Sequence, residues 1–200
     1  MTKILYVPLD ERACNYDFPQ ALARMTDGIE LLTPPREDMG MLKTPAKYER
    51  IWQWIFRNAA DCAYAILSVD TLVYGNIINS RTHHRTRGEC EENLGFFKRL
   101  KEINPRIKIH AFNLVARVAA CNDAHEDPDY WAEHGLQIWR YAYLTDKIGR
   151  GHASEAEKAE MPGLTAAIPR KDLEDFLARR EVDRFCLLYT SDAADDLLCV

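Results

Sequence analysis

Short apolar runs alternate with amphipathic stretches along this chain, and that alternation restricts its fold more than any other feature. Ile4 to Val7, Ile29 to Thr33, Ala63 to Ser68 and Ile107 to Val115 are apolar, β-rich segments of strand length that give way to polar or proline-bearing residues. Helical patterns separate them. Asp17 and Pro19 supply helix-start chemistry for a short helix around Ala21 to Met25, stopped by Gly28. Thr44 is placed to cap a second helix, with Pro45 in its first turn and Tyr48, Ile51, Trp52, Ile55 and Phe56 on its buried side. A third runs from Glu89 to Ile103 with Cys90, Leu94, Phe97 and Leu100 along one side, and Pro105 closes it.

Asp127-Pro128 opens a longer helix carrying Trp131, Ile138, Tyr141, Thr145 and Ile148 before Gly149. Residues 149–169 read as a polar connector, and Lys171 to Arg180 as one more amphipathic helix around Leu173, Phe176 and Leu177. The order βαβαβαβα predicts an α/β fold, a mainly parallel sheet with right-handed crossovers and helices on both faces. A partial β/α barrel is the alternative, because four units fit either closure.

Net charge is −5 in 200 residues, the wrong sign for a general nucleic-acid binder, which needs a basic face. A transmembrane helix needs about 20 predominantly apolar residues, and every apolar run here is far shorter. Met1 to Pro8 lacks a signal peptide's long apolar core, so the cytoplasm is the expected location. The six cysteines have no zinc-knuckle or redox spacing and are expected as reduced, mostly packed thiols.

The segment Cys186-Leu187-Leu188-Tyr189-Thr190-Ser191-Asp192-Ala193-Ala194-Asp195-Asp196 resembles a sequencing-library adapter translated in frame. On that likeness residues 186–200 are a non-native tail, and residues 1–185 are the leading, truncated part of an α/β domain whose next element is a strand.

In open parallel sheets, ligands bind beyond the carboxyl ends of the strands. Strand one delivers Asp10, Glu11, Arg12 and Asn15 there. Strand three delivers Ser68, Asp70, Tyr74, Gly75, Ser80 and Arg81, and strand four Asn113, Arg117 and Asn122. The first strand ends in Pro8-Leu9-Asp10-Glu11-Arg12, so it carries no glycine-rich phosphate loop, and no Gly-x-Ser-x-Gly elbow occurs in the chain.

Pro8-Leu9-Asp10-Glu11-Arg12 with Cys14-Asn15, Ser68-Val69-Asp70-Thr71-Leu72-Val73-Tyr74-Gly75 with Ser80-Arg81, Arg117-Val118 with Asn122, and Pro128-Asp129-Tyr130-Trp131 occur in that order. Together they resemble the bacterial family catalogued as domain of unknown function 4127, from Lys3 to about Arg180. The resemblance implies a longer natural protein and carries no reaction with it. Ala13, Asn76, Asn79 and Ala119-Ala120 depart from the family pattern, which bears on loop conformation more than on the charged positions.

From the residues themselves, Asp10 and Asp70 are the catalytic candidates, an acid/base pair or joint holders of a cation; capping a turn or pairing with Arg12 or Arg81 is the competing role. Glu11, Arg12, Asn15, Tyr74, Ser80, Arg81, Arg117 and Asn122 are the substrate-binding candidates, with the arginines suited to carboxylate or phosphate. Arg85 and Arg87 read as a solvated basic loop. His83 and His84 lack any ligand spacing, and His110 reads as packed within strand four. No cofactor is predicted, although a divalent cation suits the carboxylates. The expectation is an enzyme acting on a small polar, anionic or polyhydroxylated metabolite, hydrolysis included. The alternative is a non-catalytic protein that binds or senses such a metabolite.

Overall fold

The computed structural model describes residues 1–193. Its contacts divide the described chain into two units, residues 1–115 with those from 182 onward, and residues 116–181.

The first unit is built on four parallel strands, β1 (Thr2–Val7), β2 (Ile29–Leu32), β3 (Tyr64–Ser68) and β4 (Lys108–Phe112), in the order β2-β1-β3-β4. The predicted α/β class and parallel sheet are therefore present, with each strand ending within a few residues of its apolar run. The connections are α1 (Ala13–Arg24), α2 (Tyr48–Asn58), the single turn α3 (Asn79–Thr82) and α4 (Arg87–Ile103). From β1 the chain steps to one side for β2 and to the other for β3. Right-handed crossovers consequently put α1 on one face, and α2 and α4 on the other.

Leu5, Val7, Ala65, Leu67 and Ile109 line the face that meets Ile51, Trp52 and Ile55 of α2 and Leu94, Phe97 and Leu100 of α4. Trp52 is fully buried and meets Phe97 edge-on at 5.1 Å, so the predicted aromatic stripe is core. Its indole N–H has no hydrogen-bond partner among the described residues.

Three local expectations are corrected. α1 begins at Ala13, and Pro19 lies inside it. Proline cannot donate to the carbonyl four residues back, which belongs to Asn15. The Tyr6 hydroxyl donates to that oxygen at 2.7 Å, so the sheet satisfies the group that the helix leaves open. α2 begins at Tyr48, because Thr44 is bound to Met41 in a tight turn through backbone bonds of 2.9 and 3.0 Å. His110 is exposed and stacks on Tyr64, with 6.2 Å between ring centroids, instead of packing inside.

The second unit holds α5 (Trp131–Gly149), α6 (Glu155–Ala167) and the start of α7 (Arg170–Ala193) around Trp131, Ile138, Ile168 and Phe176. The expected connector is thus a helix. Ser154 and Glu157 form a reciprocal capping box, and Arg140 and Lys147 of α5 pair with Glu160 and Glu157. These offset the backbone bond lost at Pro162. α7 runs on as helix past Arg180, the expected end of this element. Of the tail expected to be non-native, residues 194–200 lie outside the described residues. No described helix is long and apolar enough to cross a membrane.

Candidate active site

The strand order reverses direction at β1 and β3, and in doubly wound sheets the crevice outside such a switch point is where ligands bind. Val7 is paired with Leu67, so Asp10 and Asp70 each stand three residues beyond the last matched pair of these two central strands. Thr71 ties the two exits together, its hydroxyl lying 2.6 Å from the Pro8 carbonyl oxygen and 2.9 Å from that of Leu9.

Asp10 is 2% exposed and fully engaged. Oδ1 accepts the Arg12 backbone N–H at 3.0 Å and the Asn15 amide at 2.8 Å, while Oδ2 accepts Arg12 Nε and Nη2 at 3.0 and 2.6 Å. Burial acts to raise this carboxyl, but the donors from Arg12 and Asn15 outweigh it and hold it below the ordinary carboxylate range. Asp10 is therefore a turn cap, an ion-pair partner and a persistent anion at once, and the Arg12 guanidinium is committed to it.

Asp70 occupies the opposite environment. It opens a one-turn π-helix over Asp70–Tyr74 directly after β3, a rare winding that recurs at functional sites. The turn closes on Gly75 at φ +119°, where a Cβ would fall 2.5 Å from Cβ of Pro45, so only glycine fits. Asp70 is 1% exposed; Oδ2 accepts the Leu114 N–H at 3.0 Å, and Oδ1 has no hydrogen-bond partner among the described residues. Burial pushes its carboxyl up to about 6 against the lowering effect of the Leu114 N–H and nearby Ser80, and the Asp183 carboxylate adds to the rise.

The other expected residues are distributed more widely. Tyr74 is buried, its hydroxyl faces the Cys186 thiol, and burial raises its phenol. Ser80 is buried and donates to the Ile77 carbonyl at 2.8 Å, and Arg81 is half-buried on α3. Glu11 accepts the Leu42 N–H at 3.3 Å. Arg117 and Asn122 belong to the second unit, where Arg117 pairs with Asp127 at 3.2 Å and Asn122 accepts the Leu136 N–H at 2.8 Å. Arg85, half-buried, and Arg87, exposed, lie over the rings of Tyr48 and Phe185 at 4.4 and 4.1 Å.

Asn76 and Asn79, noted in the sequence only as departures, hold the 41–44 turn through bonds to the Leu42 and Lys43 carbonyls, each 2.9 Å long. His83 is buried, stacked on Tyr74 at 4.5 Å and bonded to Asp183 at 3.1 Å. Nothing local in the sequence marks that partnership, since 100 positions separate its members. A separate hollow of about 430 Å³ lies at the other end of the sheet, lined by Asp61, Cys62, Tyr64, Asn104, Arg106 and Lys108. Its Asn104 amide already serves the carbonyls of Ala59 and Cys62. Among the described residues, no three or more His, Cys, Asp or Glu side chains gather in a metal-binding cluster.

Fold and strand-end geometry thus define a doubly wound α/β protein with two buried carboxylates at its switch point. The chain matches the family model described as protein of unknown function (DUF4127) over residues 4–196, and it belongs to that family. Neither the curated proteins nor the solved structures contain a match to it.

Proposed function

We propose that the protein is an enzyme acting on a small polar, anionic or polyhydroxylated metabolite by carboxylate-assisted acid/base chemistry, hydrolysis included. One observation carries this reading. Two buried aspartates at the switch point are pushed in opposite directions, Asp10 downward and Asp70 up to about 6. Such divergence is how one site obtains a fixed anion and a group that exchanges protons near neutrality. Asp70, whose Oδ1 has no hydrogen-bond partner among the described residues, is the proton donor and acceptor. Asp10 is the standing negative charge that orients a substrate hydroxyl or holds a cation, with Ser80 and Tyr74 beside Asp70 and Arg81 as the anion-recognising group.

The complete bonding of Asp10 favours a second reading, a non-catalytic protein that binds such a metabolite on a rigid strand-end frame. Turnover and affinity measured for Asp10→Asn and Asp70→Asn over a panel of sugar acids, polyols and phosphorylated metabolites separate the two. Asp70→Asn that loses turnover by about 10²-fold or more and keeps its affinity supports the enzyme. Binding without turnover in every variant and in the parent chain overturns it in favour of the sensor.

A further inference from the structure

A second carboxylate, half-buried, lies near Asp70 at the end of β3. The groups that face it are the Ser80 hydroxyl, the Leu114 N–H and, from α7, the Asp183 carboxylate and the Cys186 thiol. Of these Asp183 is the carboxylate, and its position is tightly specified. Oδ1 of Asp183 lies 3.1 Å from Nε2 of His83. Nδ1 of His83 accepts the Arg85 N–H at 3.1 Å, so the ring proton sits on Nε2 and is donated to Asp183. The imidazole is also clamped from its face by Tyr74, at 4.5 Å and 22° between planes. With both nitrogens occupied, His83 has no lone pair left for a substrate proton.

We infer that His83 and Asp183 are positioning residues for Asp70, with His83 anchoring the Asp183 carboxylate where it opposes a second negative charge beside it. This rests on the acid/base reading of Asp70. The arrangement has two parts. The Tyr74 stack fixes the imidazole to the last residue of the π-turn that Asp70 opens, and the Nε2–H bond fixes the carboxylate to the imidazole. Loss of either part leaves Asp70 buried, and so still raised, but removes the repulsion that Asp183 adds to the effect of burial.

A carbon-detected NMR titration of the aspartate carboxyls in the full chain, with the Asp70 signal assigned by Asp70→Asn, tests this without reference to turnover. Asp183→Asn is expected to lower the Asp70 midpoint by a few tenths of a pH unit, since burial is the main cause of its rise. Asp183→Glu, which keeps the charge, is expected to restore most of it. His83→Phe keeps a ring against Tyr74 but cannot bond Asp183, and is expected to shift the midpoint the same way as Asp183→Asn. An Asp70 midpoint unchanged in Asp183→Asn overturns the inference while the acid/base reading stands. A midpoint in the ordinary carboxylate range in the parent chain overturns that reading itself.

Discussion

The hydroxyl of Thr71 reaches the carbonyl oxygen of Pro8 at 2.6 Å across 63 positions of sequence, joining the exits of the two central strands. Valine has nearly the same shape and no donor. Thr71→Val leaves the buried Pro8 carbonyl and the half-buried Leu9 carbonyl without this partner, which costs about 1–3 kcal/mol. Urea unfolding of the variant measures the loss, and a midpoint equal to that of the parent shows that the bond does not hold the strand ends together.

Asp70 makes stability depend on pH in a specified direction. Its folded-state value, about 6, lies above the ordinary 3.8, so the native chain binds the proton more tightly than the unfolded chain does. The stabilisation is complete below about pH 4 and is lost as pH rises past 6, a change of about 3 kcal/mol. Asp70→Asn cannot ionise. It is expected to match the parent at pH 4 and to exceed it at pH 7.5 by roughly 1–3 kcal/mol, as thermal unfolding at the two values will show. Gain at both pH values would point to packing instead.

Asp10 carries the opposite linkage. Its folded value is depressed, so its contribution is present at neutral pH and disappears as pH falls through the acid range. Arg12→Ala removes Nε and Nη2, the two charged donors, but leaves the backbone N–H and Asn15 in place. The variant is expected to be less stable than the parent at pH 7 by about 1–3 kcal/mol, and the gap is expected to close as pH falls below the ordinary carboxylate range and Asp10 takes up its proton.

Gly75→Ala forces a Cβ against Pro45 in a backbone region that alanine rarely adopts. A loss of about 2–4 kcal/mol is expected, with structural change confined to the 41–47 and 70–80 segments. Amide exchange reports both, and an undisturbed 41–47 segment contradicts the proposed contact.

The strands were legible because a buried parallel strand has to be a short apolar run, and the four runs map onto β1 to β4 with little adjustment. The helix starts were less so, for physical reasons that lie far off in sequence. Pro19 is tolerated within α1 because Tyr6 satisfies the Asn15 carbonyl. Thr44 does not cap α2 because its backbone belongs to a turn pinned by Asn76. α6 is different: Ser154 and Glu157 stand at capping-box spacing, and the signal was present but outweighed by Gly151, Pro162 and Gly163.

Of the site, the positions of Asp10 and Asp70 at neighbouring strand ends could be read from the sequence, since Pro8 and Ser68 mark where the apolar runs stop. Their contrasting environments could not be read. Whether an aspartate is ringed by donors or left with an empty oxygen depends on Asn15, Leu114 and Asp183, which approach from three different elements.

The π-turn spends five residues between Asp70 and Tyr74 where ordinary helical winding closes on fewer. Chain length within this turn is therefore a determinant in its own right. Removing one residue, whichever it is, would rewind the segment, draw Gly75 away from Pro45 and rotate the Asp70 carboxyl off Leu114. Substitutions at Leu72 or Val73 leave that count intact, so this stretch should accept changes of side chain more readily than changes of length.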